Sequence, residues 1–215
     1  MPGEYFAYIF DFKEKRICEI LKSNYEIFSK HIQYLKNVKE LGKLQVAGIT
    51  QQKEKEVILL NVQDEKLAEA IFLNDPLRKS NFFCSYFYRA NISHQSISFL
   101  CKHNKDCKNE EILENYKKTK TKFFLSFFRK NRNIPSSSVI TQLDILHEHH
   151  EYVKKKILSN KFIITGLIND EKIGNIILIY AEDIDEATLL LKNDPIISKK
   201  LFNFEVYPFN ILLVG

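Results

Sequence analysis

The sequence predicts an α+β fold built from two ferredoxin-like β-α-β-β-α-β repeats, packed sheet-to-sheet within one chain. Three observations predict it. The chain first repeats itself: residues 27–48 slide onto 145–166 without a gap, placing His31 on His149, Tyr34 on Tyr152, Lys36 on Lys154, Lys43 on Lys161 and Gly48 on Gly166. An echo then follows each copy, Asn74-Asp75-Pro76 and Asn193-Asp194-Pro195, with one residue gained or lost in between, and the new offset carries Phe83 to Phe202 and Tyr88 to Tyr207. Two copies mean a tandem duplication of one domain, not a solenoid. Thirdly, the strand candidates Phe6-Ala7-Tyr8-Ile9-Phe10, Val57-Ile58-Leu59-Leu60 and Ile176-Ile177-Leu178-Ile179-Tyr180 are apolar at nearly every position. Such runs suit strands buried on both faces. A sheet with both helices on one face needs a cover for the other. A second copy in the same chain can supply it, as a covalent two-fold pair.

Each element of the first unit has a local reason. Aromatic and branched residues make 5–12 a strand. Ile27, Phe28, Leu35 and Val38 recur at helical spacing, giving a helix over 25–41 that Gly42 stops. Residues 43–50 and 56–62 form a hairpin around the polar turn 51–55. Asp64 opens a second helix through Leu67, Ala68, Ile71 and Phe72, and Pro76 ends it because proline has no amide donor and restrains the residue before it. Residues 81–91 are the last strand, and the order is that of a split βαβ unit.

The second unit repeats this order. Residues 122–128 are a strand in which Phe124 and Phe128 answer Phe6 and Phe10; 134–138 are a loop rich in capping residues. A long helix runs to about Ser159, followed by strands 161–168 and 175–181, a helix over 185–192 and a strand over 202–207. After Pro208, residues 210–214 suit one more short strand, pairing across to the other half. The expected division is a domain over 1–92, a linker over 93–120 and a domain over 121–215. The linker has no counterpart in either unit; 110–118 can form a short helix through Ile112, Leu113 and Tyr116.

Composition narrows the function classes. A chain of 215 residues with 45% hydrophobic and 27% charged residues is globular in character. The net charge of +5 is spread out, and its richest cluster, Lys117 to Lys122, falls in the linker. No nucleic acid partner is expected, because the basic residues are not gathered with stacking aromatics. No secretory signal and no membrane span are read, so a cytoplasmic location is expected. Cys18, Cys84, Cys101 and Cys107 do not repeat between the halves and so form no duplicated disulfide framework.

The residues able to carry chemistry are those that recur. His31 lies four residues from both Ile27 and Leu35, on the apolar stripe of its helix, and His149 has the same relation to Ile145 and Val153. A core histidine with a satisfied ring nitrogen is the plain reading of either one. Asp75 and Asp194, each followed by proline, are natural helix caps. Their joint recurrence suggests more: an aspartate that holds one imidazole nitrogen fixes the tautomer and frees the other nitrogen to move a proton. Tyr34 and Tyr152, three residues after each histidine, can line a pocket or pack. The cluster His147, Glu148, His149, His150 and Glu151 reads as a polar helix face. His94, Cys101, His103 and Cys107 match no zinc spacing, and no metal or other cofactor is expected.

A helix histidine, a glycine seventeen residues on and an Asp-Pro after the second helix resemble the YciI-related family, which belongs with the muconolactone isomerase-like, dimeric α/β-barrel proteins. The resemblance covers about residues 5–91 and again 122–209. It implies a dimeric α/β barrel with His-Asp sites formed by His31 with Asp75 and His149 with Asp194, and a ligand pocket at Tyr34, Tyr152, Gly48 and Gly166. Where relatives often carry an arginine three residues before the histidine, this chain has Phe28 and Leu146.

Two functions follow from these readings. The first is an enzyme that moves a proton beside a carbonyl, or eliminates a leaving group, on a small cyclic or aromatic-derived acid, as an isomerase, lyase or dehydrochlorinase. The second is a non-catalytic module of the same fold, holding a small ligand or another protein, with structural histidines. The expected assembly is a monomer with an internal pseudo-dimer, or a homodimer.

Overall fold

A computed structural model describes residues 3–11, 24–51, 55–80, 84–103, 121–131, 139–170 and 174–215. The first half comprises β1 (Glu4–Asp11), α1 (Tyr25–Glu40), β2 (Leu44–Thr50), β3 (Lys55–Val62), α2 (Glu65–Asn74), α3 (Pro76–Ser80) and β4 (Cys84–Gln95). After α4 (Ile97–His103), the second half comprises β5 (Phe123–Lys130), α5 (Val139–Leu158), β6 (Phe162–Ile168), β7 (Asn175–Tyr180), α6 (Ile184–Lys192), α7 (Pro195–Ser198) and β8 (Phe202–Val214). The strands close into an antiparallel barrel in the order β1-β3-β2-β8-β5-β7-β6-β4. This is the dimeric α/β-barrel architecture drawn within a single chain.

Strand alternation explains why the strands read as apolar throughout. Phe6, Tyr8 and Phe10 of β1 point outward and pack on Phe28, Ile32, Leu35 and Val38 of α1. Ala7 and Ile9 point inward, where they join Val57 and Leu59 and meet Leu125, Phe127, Ile176 and Leu178 from the second half. Each half is thus a sheet between its own helices and the other half's sheet, and burying a large apolar side chain on either face contributes about 1.5–3 kcal/mol. Ile97, Phe99 and Leu100 of α4 also join the barrel interior.

Two long strands stitch the halves together. β4 pairs with β1 as far as Ala90 and from there with β6. β8 pairs with β5 as far as Pro208 and from Phe209 with β2. The sequence suggested a break at Pro208 followed by a separate short strand. Instead β8 is continuous, because proline falls where the strand changes partners and its missing amide donor breaks no ladder. Its carbonyl still accepts the amide of Gln51 at 3.0 Å. The expected cross-pairing of 210–214 is the β2–β8 seam.

The duplication extends to the caps. Gly42 has φ +67° and ends α1; Asn160, at the corresponding place after α5, has φ +53°. Both occupy the left-handed conformation that glycine and asparagine tolerate best. The matching backbone bonds are Lys43 N–H to the Val38 carbonyl at 3.1 Å and Lys161 N–H to the Lys156 carbonyl at 2.9 Å. Asp64 caps α2 by accepting the Leu67 amide, and Asp183 caps α6 by accepting that of Glu186. Residues 93–95, expected in the linker, continue β4. The helix expected over 110–118, the loop 134–138 and Cys18 and Cys107 lie outside the described residues. Among the described residues, no helix is long and apolar enough to cross a membrane.

Candidate functional site

The recurring histidines stand on the barrel-facing stripes of α1 and α5, and each meets the aspartate of its own Asp-Pro corner. In the first half, His31 Nδ1 lies 2.8 and 2.9 Å from the two carboxylate oxygens of Asp75. Asp75 also caps α3, accepting the Leu77 amide at 2.8 Å, and accepts the Tyr8 hydroxyl at 3.4 Å. The other ring nitrogen is taken as well: Nε2 lies 2.9 Å from Oε1 of Glu56. His31, Asp75 and Glu56 are all completely buried. Burial by itself would lower the imidazole pKa, but the carboxylates of Asp75 and Glu56 reverse this and hold it at about 10. His31 is therefore a buried imidazolium donating from both nitrogens. Burial, then the Asp75 and Glu56 charges, push the Tyr8 phenol well above its ordinary value.

The second half begins in the same way. His149 Nδ1 lies 2.8 and 2.9 Å from the carboxylate oxygens of Asp194, which is buried and caps α7 through the Ile196 amide at 3.1 Å. There the likeness stops. The strand position held by Glu56, opposite Ile49, is held in the second half by Asn175, opposite Leu167. Among the described residues His149 Nε2 has no hydrogen-bond partner, and the side chain lines a cavity of about 230 Å³. His150, Val153, Thr165, Leu167 and Ile177 line it too, and His150 and Val153 stand where the first half has the buried Ile32 and Leu35.

The seams complete the contrast. Both contain an irregularity in register, between Ala47 and Gly48 in the β2–β8 seam and between Ile92 and His94 in the β4–β6 seam. The residue left out of the ladder is Leu212 in one and Ser93 in the other. Leu212 is buried in the core that the first-half strands form with α1 and α2. Ser93 lines the cavity beside His149, its hydroxyl 2.9 Å from that of Thr165. An apolar plug and a carboxylate thus close the first copy, whereas a serine and an amide leave the second open.

The remaining site candidates divide. Tyr34 donates to the Ile71 carbonyl at 2.7 Å and Tyr152 to that of Leu190 at 2.6 Å, so each hydroxyl ties the long helix of its half to the following one. Burial first, and the neighbouring Asp75 or Asp194 second, push both phenols up to about 12. Gly48 and Gly166 stand at the two seams. A Cβ on Gly48 would come within 2.4 Å of the Phe209 ring and 2.7 Å of the Asn210 carbonyl; one on Gly166 would come within 2.6 Å of Ile92. Gly166 also lines the cavity. Of the linker candidates, His103 donates to the Phe99 carbonyl at 2.9 Å, and no group of three or more His, Cys, Asp or Glu side chains among the described residues is placed to hold a metal. Glu56, Asn175 and Ser93 were not singled out in the sequence, and His150 was read only as part of a polar helix face. The signal was available in the second offset, which lays Glu56 on Asn175 and Ser93 on Leu212.

No family model matches the sequence, and no curated protein matches it. Solved structures match the fold over almost the whole chain. A heme-binding protein from Thermus thermophilus is 13% identical with a TM-score of 0.52, covering 97% of this chain and 92% of that one. A candidate monooxygenase from Fusobacterium nucleatum is 10% identical with a TM-score of 0.54, covering 100% and 95%. A chlorite dismutase variant from Candidatus Nitrospira defluvii is 8% identical with a TM-score of 0.52, covering 98% and 91%. At these identities the likeness establishes a shared fold.

Proposed function

We propose that this chain is an enzyme of YciI-related type whose second half transfers a proton on a small cyclic or aromatic-derived acid, with His149 as the acid-base group and Asp194 as its orienter. The observation that carries the reading is the difference between two otherwise matching imidazoles: both ring nitrogens of His31 are engaged, whereas His149 has one nitrogen held by Asp194 and borders a cavity. Asp194 accepts the Nδ1–H bond and so leaves the lone pair on Nε2 as the base. When Nε2 takes a proton, the same carboxylate stabilises the imidazolium. The proton comes from a carbon beside a carbonyl. Returning it to another carbon gives an isomerase; loss of a leaving group from the next carbon gives a lyase or dehydrochlorinase. The cavity holds the volume of about seven or eight waters at ~30 Å³ each, room for one substituted ring. The first-half pair of His31 and Asp75 is structural, so the non-catalytic reading applies to that copy.

One structural neighbour is described as heme-binding. The donor chemistry here would suit a metal ligand, since a metal-bound imidazole commonly has its second nitrogen held by a carboxylate, as Asp194 holds that of His149. The cavity of about 230 Å³ is below the ~300–1,000 Å³ of drug-sized pockets, so a tetrapyrrole would extend beyond the walls that the described residues provide.

The test is solvent-deuterium exchange into carbon-bound positions across a panel of small cyclic keto acids and lactone acids. Exchange is expected with the wild type and with His31→Gln normalised to folded protein, and not with His149→Gln. Exchange that survives His149→Gln overturns the assignment.

A further inference from the structure

The first copy of the site carries information about what enters the second. Glu56 reaches from β3 to His31 and sets Oε1 at 2.9 Å from Nε2, on the side of the ring away from Asp75. In the second copy that strand position belongs to the shorter, uncharged Asn175, and the space beside the imidazole is a cavity. The carboxylate of Glu56 is therefore an internal stand-in for something the second copy takes from solution. We infer that the ligand of the second-half cavity presents an oxyanion to Nε2 of His149, carried on a small flat apolar body. This deepens the reading of the same cavity above and rests on it for the location of the site.

Charge and lining agree with this. The first copy surrounds one imidazole with two carboxylates; among the described residues the second sets only Asp194 against its imidazole. No described carboxylate, lysine or arginine lines the cavity. Asn91 and Asn175 offer amide donors, and Ser93 and Thr165 are bonded to each other. Val153, Leu167 and Ile177 form the apolar part of the wall, which suits the face of a ring. Hydrogen bonds to an ionised oxygen are roughly twice as strong as those to a neutral one. A ligand with an oxyanion should therefore hold the site better than an isosteric amide. Two sources share this chemistry, and both are held by Nε2–H of the protonated ring: the carboxylate of a resting acid, whose bound state occupies Nε2 and is not the one that abstracts a proton, and the enolate-like oxygen that forms after Nε2 has taken the proton from the neighbouring carbon.

Three one-ring probes separate the possibilities by calorimetry on the full chain: benzoate for a carboxylate, 4-nitrophenolate for a conjugated single oxyanion, and neutral benzamide as the control. At least one anion is expected to bind about ten- to hundredfold more tightly than benzamide. Benzoate ahead of nitrophenolate assigns the carboxylate, and the reverse order the enolate-like oxygen. Asn175→Glu, which rebuilds the first-half arrangement, should abolish anion binding, whereas Asn175→Gln should retain it within a few-fold. In NMR the His149 ring resonances should shift on addition of the anion and not on addition of benzamide.

Equal binding of benzamide and the anions, anion binding undiminished in folded Asn175→Glu, or no binding of any probe overturns the inference. Anion binding lost in His149→Gln, with no deuterium exchange in the wild type, leaves the oxyanion site standing and removes the proton-transfer reading. Exchange without any preference for anions does the opposite.

Discussion

Glu56 and Asn175 occupy the same place in the two copies of one strand, and the first bonds to an imidazole while the second borders a cavity beside one. This single difference separates a sealed charged cluster from an open site. It yields predictions about stability in the first half and about ligands in the second.

The buried cluster makes stability depend on pH. The groups facing His31 are Asp75, Glu56 and, through Asp75, Tyr8. The folded pKa of His31 is about 10, above its ordinary value of 6.5. A raised folded pKa means that the contribution is fully present below pH ~6.5 and disappears as pH rises through ~10. A shift of this size corresponds to roughly 5 kcal/mol. Urea unfolding of the wild type should show stability falling across that window, and His31→Gln should flatten the slope. An unchanged slope in His31→Gln would show that other groups set it.

Removing the imidazolium leaves two buried carboxylates without their counter-charge, so His31→Gln should destabilise the fold by about 3–5 kcal/mol at pH 7. Glu56→Gln and Asp75→Asn each leave a balanced pair and should cost about 1–3 kcal/mol for the lost charge-assisted bond. For a chain of this size that is a fall in Tm of about 2–4 °C per kcal/mol. Thermal unfolding at pH 7 checks this. Asp194→Asn should cost less, because His149 is partly exposed and can exchange bonds with water.

The glycines test the seams. Gly48→Ala places a methyl group against the Phe209 ring and the Asn210 carbonyl, and should destabilise by about 1–3 kcal/mol in chemical denaturation. Gly166→Ala meets the movable end of Ile92 and, at 3.0 Å, the Asn91 carbonyl, farther off than the 2.7 Å backbone contact at Gly48, so it should cost less while narrowing the cavity. Equal costs would show that both seams yield alike.

Barrel closure bears on assembly. Every strand of the barrel has a neighbour on both sides, so among the described residues no unpaired edge is left to recruit a second chain. Sedimentation equilibrium at low micromolar concentration should report a monomer. A persistent dimer would place an interface on the helices.

Heme titration checks the size argument. No saturable change in the heme absorption band is expected, because a tetrapyrrole would extend beyond the walls of the cavity. Stoichiometric binding that His149→Ala abolishes would replace the proton-transfer reading with axial ligation.

The sequence by itself determined the duplication, the β-α-β-β-α-β order and the sheet-to-sheet packing, because these rest on local periodicity and on a self-match that survives divergence at most positions. It also brought each histidine into register with an aspartate, since His31 and Asp75 recur as His149 and Asp194 at nearly constant spacing. Only the tertiary structure decided which copy is open. Nothing local to Glu56 says that its carboxylate turns toward a helix residue 25 positions earlier in the chain, or that Leu212 crosses from the second half to join the core of the first. Those outcomes depend on barrel closure and on a bulge in each seam, both products of long-range strand pairing that no short window of residues encodes.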